Sequence, residues 1–165
     1  MVGKVLSRGL LAFYLVLLIW LVLFKLEYHN LSDVLDYHHR SLNLIPFGGP
    51  SIVNGSFGQI IENVLCFIPL GLLLNVNFKQ FGFLPKLTFI VVLSLTFELT
   101  QFIFAIGATD ITDLITNTIG GILGLKIYDL SNKYTNNKKL DRVIVFVGIL
   151  LLVLLLYYRT HLHFK

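Results

Sequence analysis

The sequence predicts an all-α fold, a polytopic membrane helix bundle of about five transmembrane helices with one longer external loop after the first. Three observations carry that expectation. The composition is 56% hydrophobic and 13% charged, against about 25% charged in an ordinary water-soluble domain. The apolar residues gather into five runs, each near the roughly 17–25 residues that a bilayer core requires. Lys and Arg cluster by connection, as the positive-inside rule demands of a multi-pass chain. No linker-like, repetitive or low-complexity stretch interrupts residues 1–165, which read as a single domain. Cys66 is the only cysteine, so no internal disulfide forms, and its apolar neighbours mark it as a packing residue.

The first run, 6–26, has Lys4 and Arg8 ahead of its apolar core, and the bulky, polar "LFKLEYHNL" that follows the core offers no small-residue cleavage site. It reads as an uncleaved span rather than a signal peptide. The second run, 57–78, is broken by Pro69 and Gly71. Pro69 cannot donate to the carbonyl of Leu65, which predicts a kinked or opened helix, and Gly71 adds slack. The third run is 87–106, the fourth 111–128 and the fifth 143–158. The second and fourth are the polar ones, holding Glu62, Asn63, Asp113 and Asn117.

The N-terminus and the connections after runs two and four hold nine Lys and Arg, whereas Lys25, Arg40, Arg159 and Lys165 are the four on the other side. Positive charge marks the cytoplasmic face. The expected topology in the cell membrane therefore has a cytoplasmic N-terminus and an external C-terminus. Residues 27–57 form the long external loop and 107–110 a short one. His29, His38 and His39 in the long loop lack tight ligand spacing, and that segment reads as lying on lipid headgroups. The net charge of +4 is a topology signal and predicts no nucleic-acid partner. No cofactor motif is legible and none is expected.

With that topology, the polar residues of three spans come to one level near the external surface. Asn63 lies about two turns inside span two, Glu98 and Gln101 in the outer half of span three, and Asp110, Asp113 and Asn117 at the start of span four. At about 100° per residue, Ser94, Glu98 and Gln101 share one stripe, and Asp110, Asp113, Asn117, Gly120 and Gly124 another. Spans three and four are antiparallel neighbours, so the stripes can face each other, and Gly120 and Gly124 let the backbones approach. A charge at membrane depth costs at least about 2.5–3.5 kcal/mol on insertion scales and marks a functional site by default. Glu98 is then a protonated acid bonded to Gln101 or Asn117, or a carboxylate beside a bound cation. Arg40 is the natural partner for Asp110, for Asp113 or for a lipid phosphate.

Beyond these patterns, "NLIPF" (43–47), "ENVLCFIPLGLLLNVNF" (62–78) and "LSLTFELTQFIFAIGATDITDLITNTIGGILGL" (93–125) resemble the VanZ family, as does the apolar segment 140–162. The residues that carry the resemblance are Asn63, Phe67, Pro69, Gly71, Glu98, Gln101, Asp110, Asp113, Asn117 and Gly120, with Asn43 and Pro46 in the first motif. The resemblance implies an integral membrane protein that confers low-level resistance to teicoplanin, a glycopeptide with a fatty acyl tail.

Three readings of the polar cluster follow. In the first, a pocket between helices 2, 3 and 4 binds or remodels at the outer leaflet, its partners being membrane lipids, the teicoplanin tail or a lipid-linked wall precursor. In the second, Glu98 and Asp113 are the catalytic acid and base of an intramembrane enzyme, or Glu98, Asp110 and Asp113 hold a divalent metal. In the third, the cluster only glues the bundle, at about 0.6–2 kcal/mol per bond. Oligomeric state is not legible.

Overall fold

A computed structural model describes residues 2–23, 41–47, 57–105 and 108–162. Among the described residues, five helices and two short strands follow one another: α1 (Val2–Leu23), β1 (Ser41–Asn43), α2 (Phe57–Asn77), α3 (Phe83–Phe104), β2 (Ala108–Asp110), α4 (Ile111–Tyr134) and α5 (Asn137–Leu162). Each apolar run of the sequence is thus a helix. Three stretches, Gly3–Leu23, Phe57–Asn77 and Phe83–Phe104, are long and apolar enough to cross a membrane by length and composition. The 24 residues of α4, at about 1.5 Å each, also exceed a hydrocarbon core of about 30 Å. Arg40 and the three loop histidines lie outside the described residues.

The bundle is turned inside out relative to a soluble protein. Phe13, Val16 and Ile19 on α1, and Leu84, Phe89, Val92, Leu95, Leu99 and Phe102 on α3, are exposed, while Ser94, Glu98, Gln101, Thr112, Asp113, Thr116 and Asn117 are buried. On α3 the split follows the helical period: Ile90, Ser94, Phe97, Glu98 and Gln101 face inward. Exposed apolar side chains on this scale suit acyl chains as solvent, where the hydrophobic effect no longer drives helices together and close packing must. The apolar core that does exist joins Leu10, Leu11, Leu18 and Val22 of α1 to Phe67, Leu70 and Leu73 of α2, Ile90 and Phe97 of α3 and Leu125 of α4. Phe67, fully buried, meets Phe97 edge-to-face at 6.3 Å between ring centres.

The tightest contact is between α2 and α4, and glycine makes it. A Cβ on Gly120 would run into the carbonyl oxygen of Val64, one on Gly124 into that of Ile68, and one on Gly71 into that of Gly121. Here the structure corrects three expectations. Gly120 and Gly124 bring α4 against α2, not against α3, because a Cβ at either would meet the α2 backbone at Val64 and Ile68. It is Gly121 that makes room for α3, through Ile90. Gly71 likewise gives no slack; it is a point of backbone contact. Pro69 does not break α2, which runs without interruption from Phe57 to Asn77. Nearby, the Tyr14 hydroxyl of α1 donates to the carbonyl of Cys66 at 2.5 Å, giving that disturbed turn a partner.

The strands are the other departure from an all-α chain. β1 and β2 pair in parallel, Ser41 with Ala108, Leu42 with Thr109 and Asn43 with Asp110. Three-residue strands inside loops leave no period-2 pattern to read. Between α3 and β2, Ala105 closes α3 in a left-handed conformation with φ 54°, its N–H donating to the Gln101 carbonyl.

The glycine contact makes a direct prediction. Gly124→Ala puts a methyl into rigid backbone, where overpacking costs about 1–3 kcal/mol, whereas a Cβ at Gly9 meets open space. Thermal unfolding of the protein in detergent should show Gly124→Ala melting several degrees lower or failing to accumulate. Gly9→Ala should melt at or above the parent temperature.

Candidate functional site

The acids are positioned by the ends of three helices and the strand clip. Asp110 ends β2 and is the N-cap of α4, its Oδ1 accepting the Thr112 N–H at 2.8 Å. That bond satisfies one of the orphan donors of the helix start. The other oxygen of Asp110 accepts from Asn43 Nδ2 at 3.1 Å, and Asn43 Oδ1 takes the Ile45 N–H at 3.1 Å. The backbone N–H of Asp110 donates to Glu98 Oε2 at 3.0 Å, and the Thr109 hydroxyl to the Glu98 carbonyl at 3.2 Å. Phe47, at the end of the "NLIPF" turn, donates its N–H to Thr112 Oγ1 at 3.1 Å. The exposed turn at Pro46 is thereby held to the mouth of α4.

One turn deeper, Asn63 of α2 donates to Asp113 Oδ1 at 2.8 Å and reaches Thr116 Oγ1 at 3.5 Å. Deeper again, Asn117 Nδ2 donates to Ser94 Oγ at 3.0 Å, with both residues fully buried. The structure therefore brings together Asn43, Asn63, Glu98, Asp110, Asp113 and Asn117 along the contacts of α4 with β1, α2 and α3. Glu98 is 3% exposed and Asp113 6%.

Several expectations change. Gln101 does not serve the acids: its Nε2 donates to the Val22 carbonyl of α1 at 3.1 Å. One turn beyond Glu98 along α3, it points to the α1 side of the bundle. Glu98 is met by the backbone of Asp110, while Asn117 goes to Ser94. Among the described residues no group of His, Cys, Asp and Glu is arranged to hold a metal ion. Asp110 explains part of this, since its carboxylate turns back to cap its own helix and to hold Asn43. Gln101 Oε1 and Asn117 Oδ1 are buried without a hydrogen-bond partner among the described residues.

The sequence reading missed Thr112 and Thr116, whose hydroxyls are part of the network; Thr in a polar helix start gives no signal by itself. It also missed a second polar cluster at the opposite end, around Asn75, Lys86 and Asp129. There Lys79 and Lys86 had entered the reading only as loop charges. Asn75 inside an apolar run and Asp129 four residues beyond Leu125 were the available signals.

A family model described as VanZ/LLP1 matches residues 11–132. Protein VanZ of Enterococcus faecium is 72% identical over 160 residues, which cover 97% of this chain and 96% of that protein. No solved structure matches.

The clip between Asn43 and Asp110 is open to a double-mutant test. Asn43→Ala and Asp110→Ala should each lower thermal stability in detergent, Asp110→Ala more because it also loses the helix cap, worth about 1 kcal/mol. The double variant should fall short of the sum by about 0.5–1 kcal/mol, the coupling expected of directly bonded partners. Strict additivity would show that the bond contributes nothing.

Proposed function

The chain belongs to the VanZ family, membrane proteins that lower sensitivity to teicoplanin, and from that premise we propose that it acts at the outer leaflet of the cell membrane through the acid network of α2, α3 and α4. In this reading the basic face is cytoplasmic and the strand clip external, as the distribution of nine and four cationic residues supports. The network engages the headgroup and acyl region of a lipid-like molecule. Teicoplanin then anchors poorly beside its target, or a lipid-linked wall precursor is less available to it. Each CH₂ of an acyl chain buried in the bilayer contributes about 0.8 kcal/mol, so competition for anchoring is a large lever.

The observation that carries this reading is the pair of buried acids, Glu98 and Asp113, inside helices whose outer faces are apolar. Amides would glue a bundle at lower cost than carboxylates. The amide oxygen of Asn117, buried without a hydrogen-bond partner among the described residues, also argues against a cluster built only to satisfy itself, since such an atom costs about 1–3 kcal/mol.

Protection should depend on the acyl tail of the drug: cells carrying the protein should gain resistance to teicoplanin and little or none to a glycopeptide without the tail. Equal protection against both would remove the proposal. Glu98→Gln and Asp113→Asn, present at normal membrane levels, should keep part of the resistance, because the amides preserve shape and some hydrogen bonding. Complete loss at normal levels, with a covalent change in lipids or wall precursors seen by mass spectrometry in parent cells, would instead identify an enzyme using these two acids. Parallel loss of protein level and resistance would reduce the network to a structural role.

A further inference from the structure

At the end of the bundle opposite the acid network, the turn between α2 and α3 and the junction of α4 with α5 enclose a cavity of about 320 Å³. Its walls include Asn75, Lys79, Lys86, Asp129 and Asn132, with Phe81 and Phe83 along one side. Lys86 is only 8% exposed. Its ammonium gives one hydrogen bond to Asn75 Oδ1, at 2.6 Å, out of the three it can donate. Asn75 is itself fixed to α4 through the Leu125 carbonyl at 3.0 Å and Asp129 Oδ1 at 3.1 Å. Lys79 is held at the rim by Asp141 at 2.5 Å, and Asp141 also accepts from the Tyr128 hydroxyl at 2.7 Å.

The start of α3 opens on the same space. Its N-cap is Gly82, with no side-chain cap, and its first turn has no acidic residue. The positive end of the α3 dipole therefore meets the cavity beside two lysines, an arrangement that favours an anion. The surroundings reinforce the sign. Residues 75–87 and 126–142 hold seven cations and two acids. Acceptors are present too: Asp129, and Asn132 Oδ1, which is buried without a hydrogen-bond partner among the described residues. An apolar edge, an anion cradle and acceptors for hydroxyl groups together fit an amphiphile better than a free ion.

We propose that this cavity binds the phosphate headgroup of an anionic membrane lipid. The phosphate sits between Lys79, Lys86 and the first turn of α3, headgroup hydroxyls reach Asp129 and Asn132, and the acyl chains leave past Phe81 and Phe83. Basic pockets between helices on the positive face of membrane proteins are suited to such headgroups. This site lies at the far end of the bundle from the acid network and stands whether or not the resistance reading does.

The test uses the purified full-length protein in neutral detergent, with binding followed by native mass spectrometry and thermal shift. Phosphatidylglycerol should bind and raise the melting temperature, and a diacylglycerol with the same chains should do neither. Lys79→Gln, at a half-exposed position where folding is not at stake, and Lys86→Gln should each weaken binding about tenfold or more, the loss expected for a hydrogen bond to a charged group. Lys139→Gln, on the same face but outside the cavity, should bind as the parent does. Unchanged binding by Lys79→Gln, or equal binding of diacylglycerol, would overturn the proposal. Stabilisation by inorganic phosphate with no lipid bound would overturn the lipid assignment and give the site to a soluble anion.

Discussion

Backbone meets backbone where α2 crosses α4, and the other polar contacts of the bundle are arranged around that line. Asn63 bonds Asp113 at one end of it, Val64 and Ile68 receive Gly120 and Gly124 in the middle, and Asn75 reaches Leu125 and Asp129 at the other. Partner numbers rise together, so the two helices run parallel. With lipid outside, burying apolar area gains little between helices, and the short approach that glycine permits supplies dispersion contact in its place. That approach also brings side chains as short as Asn within bonding reach of the facing helix. A methyl at Gly71, Gly120 or Gly124 would push both polar ends apart at once.

From this axis the rest is hung. α3 contributes Ile90 to the notch at Gly121 and Ser94 to Asn117, which sets Glu98 at the level of the α4 cap. α1 leans on α2 through Tyr14 and on α3 through Val22. The consequence is two polar ends joined by a thin, small-residue waist. One end is rich in acids and tied to strands, the other rich in lysines and open around a cavity. Electrostatic interactions are strongest at the acid end, where Glu98 and Asp113 are buried and the local dielectric is low.

Much of this was legible before any coordinates. Hydropathy located all five helices, because a run of apolar residues of bilayer length has few other solutions. Counting along the helical period put Glu98 with Ser94 and Asp113 with Asn117 on inward faces, and both pairs are buried. What the period does not tell is which neighbour a face meets. Gly120 and Asn117 differ by three residues, only about 60° apart around α4, and that small offset is enough to send one to α2 and the other to α3. Gln101 was assigned to the acids for the same reason and goes to α1. The strand clip was beyond reach, since three-residue strands carry no period and their pairing depends on how far the helices between them travel. The lysine-rich end reads in the sequence as charge alone; its cavity lies where the α2–α3 turn meets the junction of α4 and α5, a meeting that no pattern of residue types encodes.

The parallel pairing of β1 with β2 also dictates a schedule for biosynthesis. β1 is made before α2, yet its partner follows α3, so about 65 residues separate Asn43 from Asp110 and both intervening helices must be inserted before they can meet. The α4 cap, the Asn43 bridge and the seat of Glu98 all close in that one late event. Until the ribosome has delivered the start of α4, Glu98 stands in a nascent hairpin without the Asp110 N–H that later receives it.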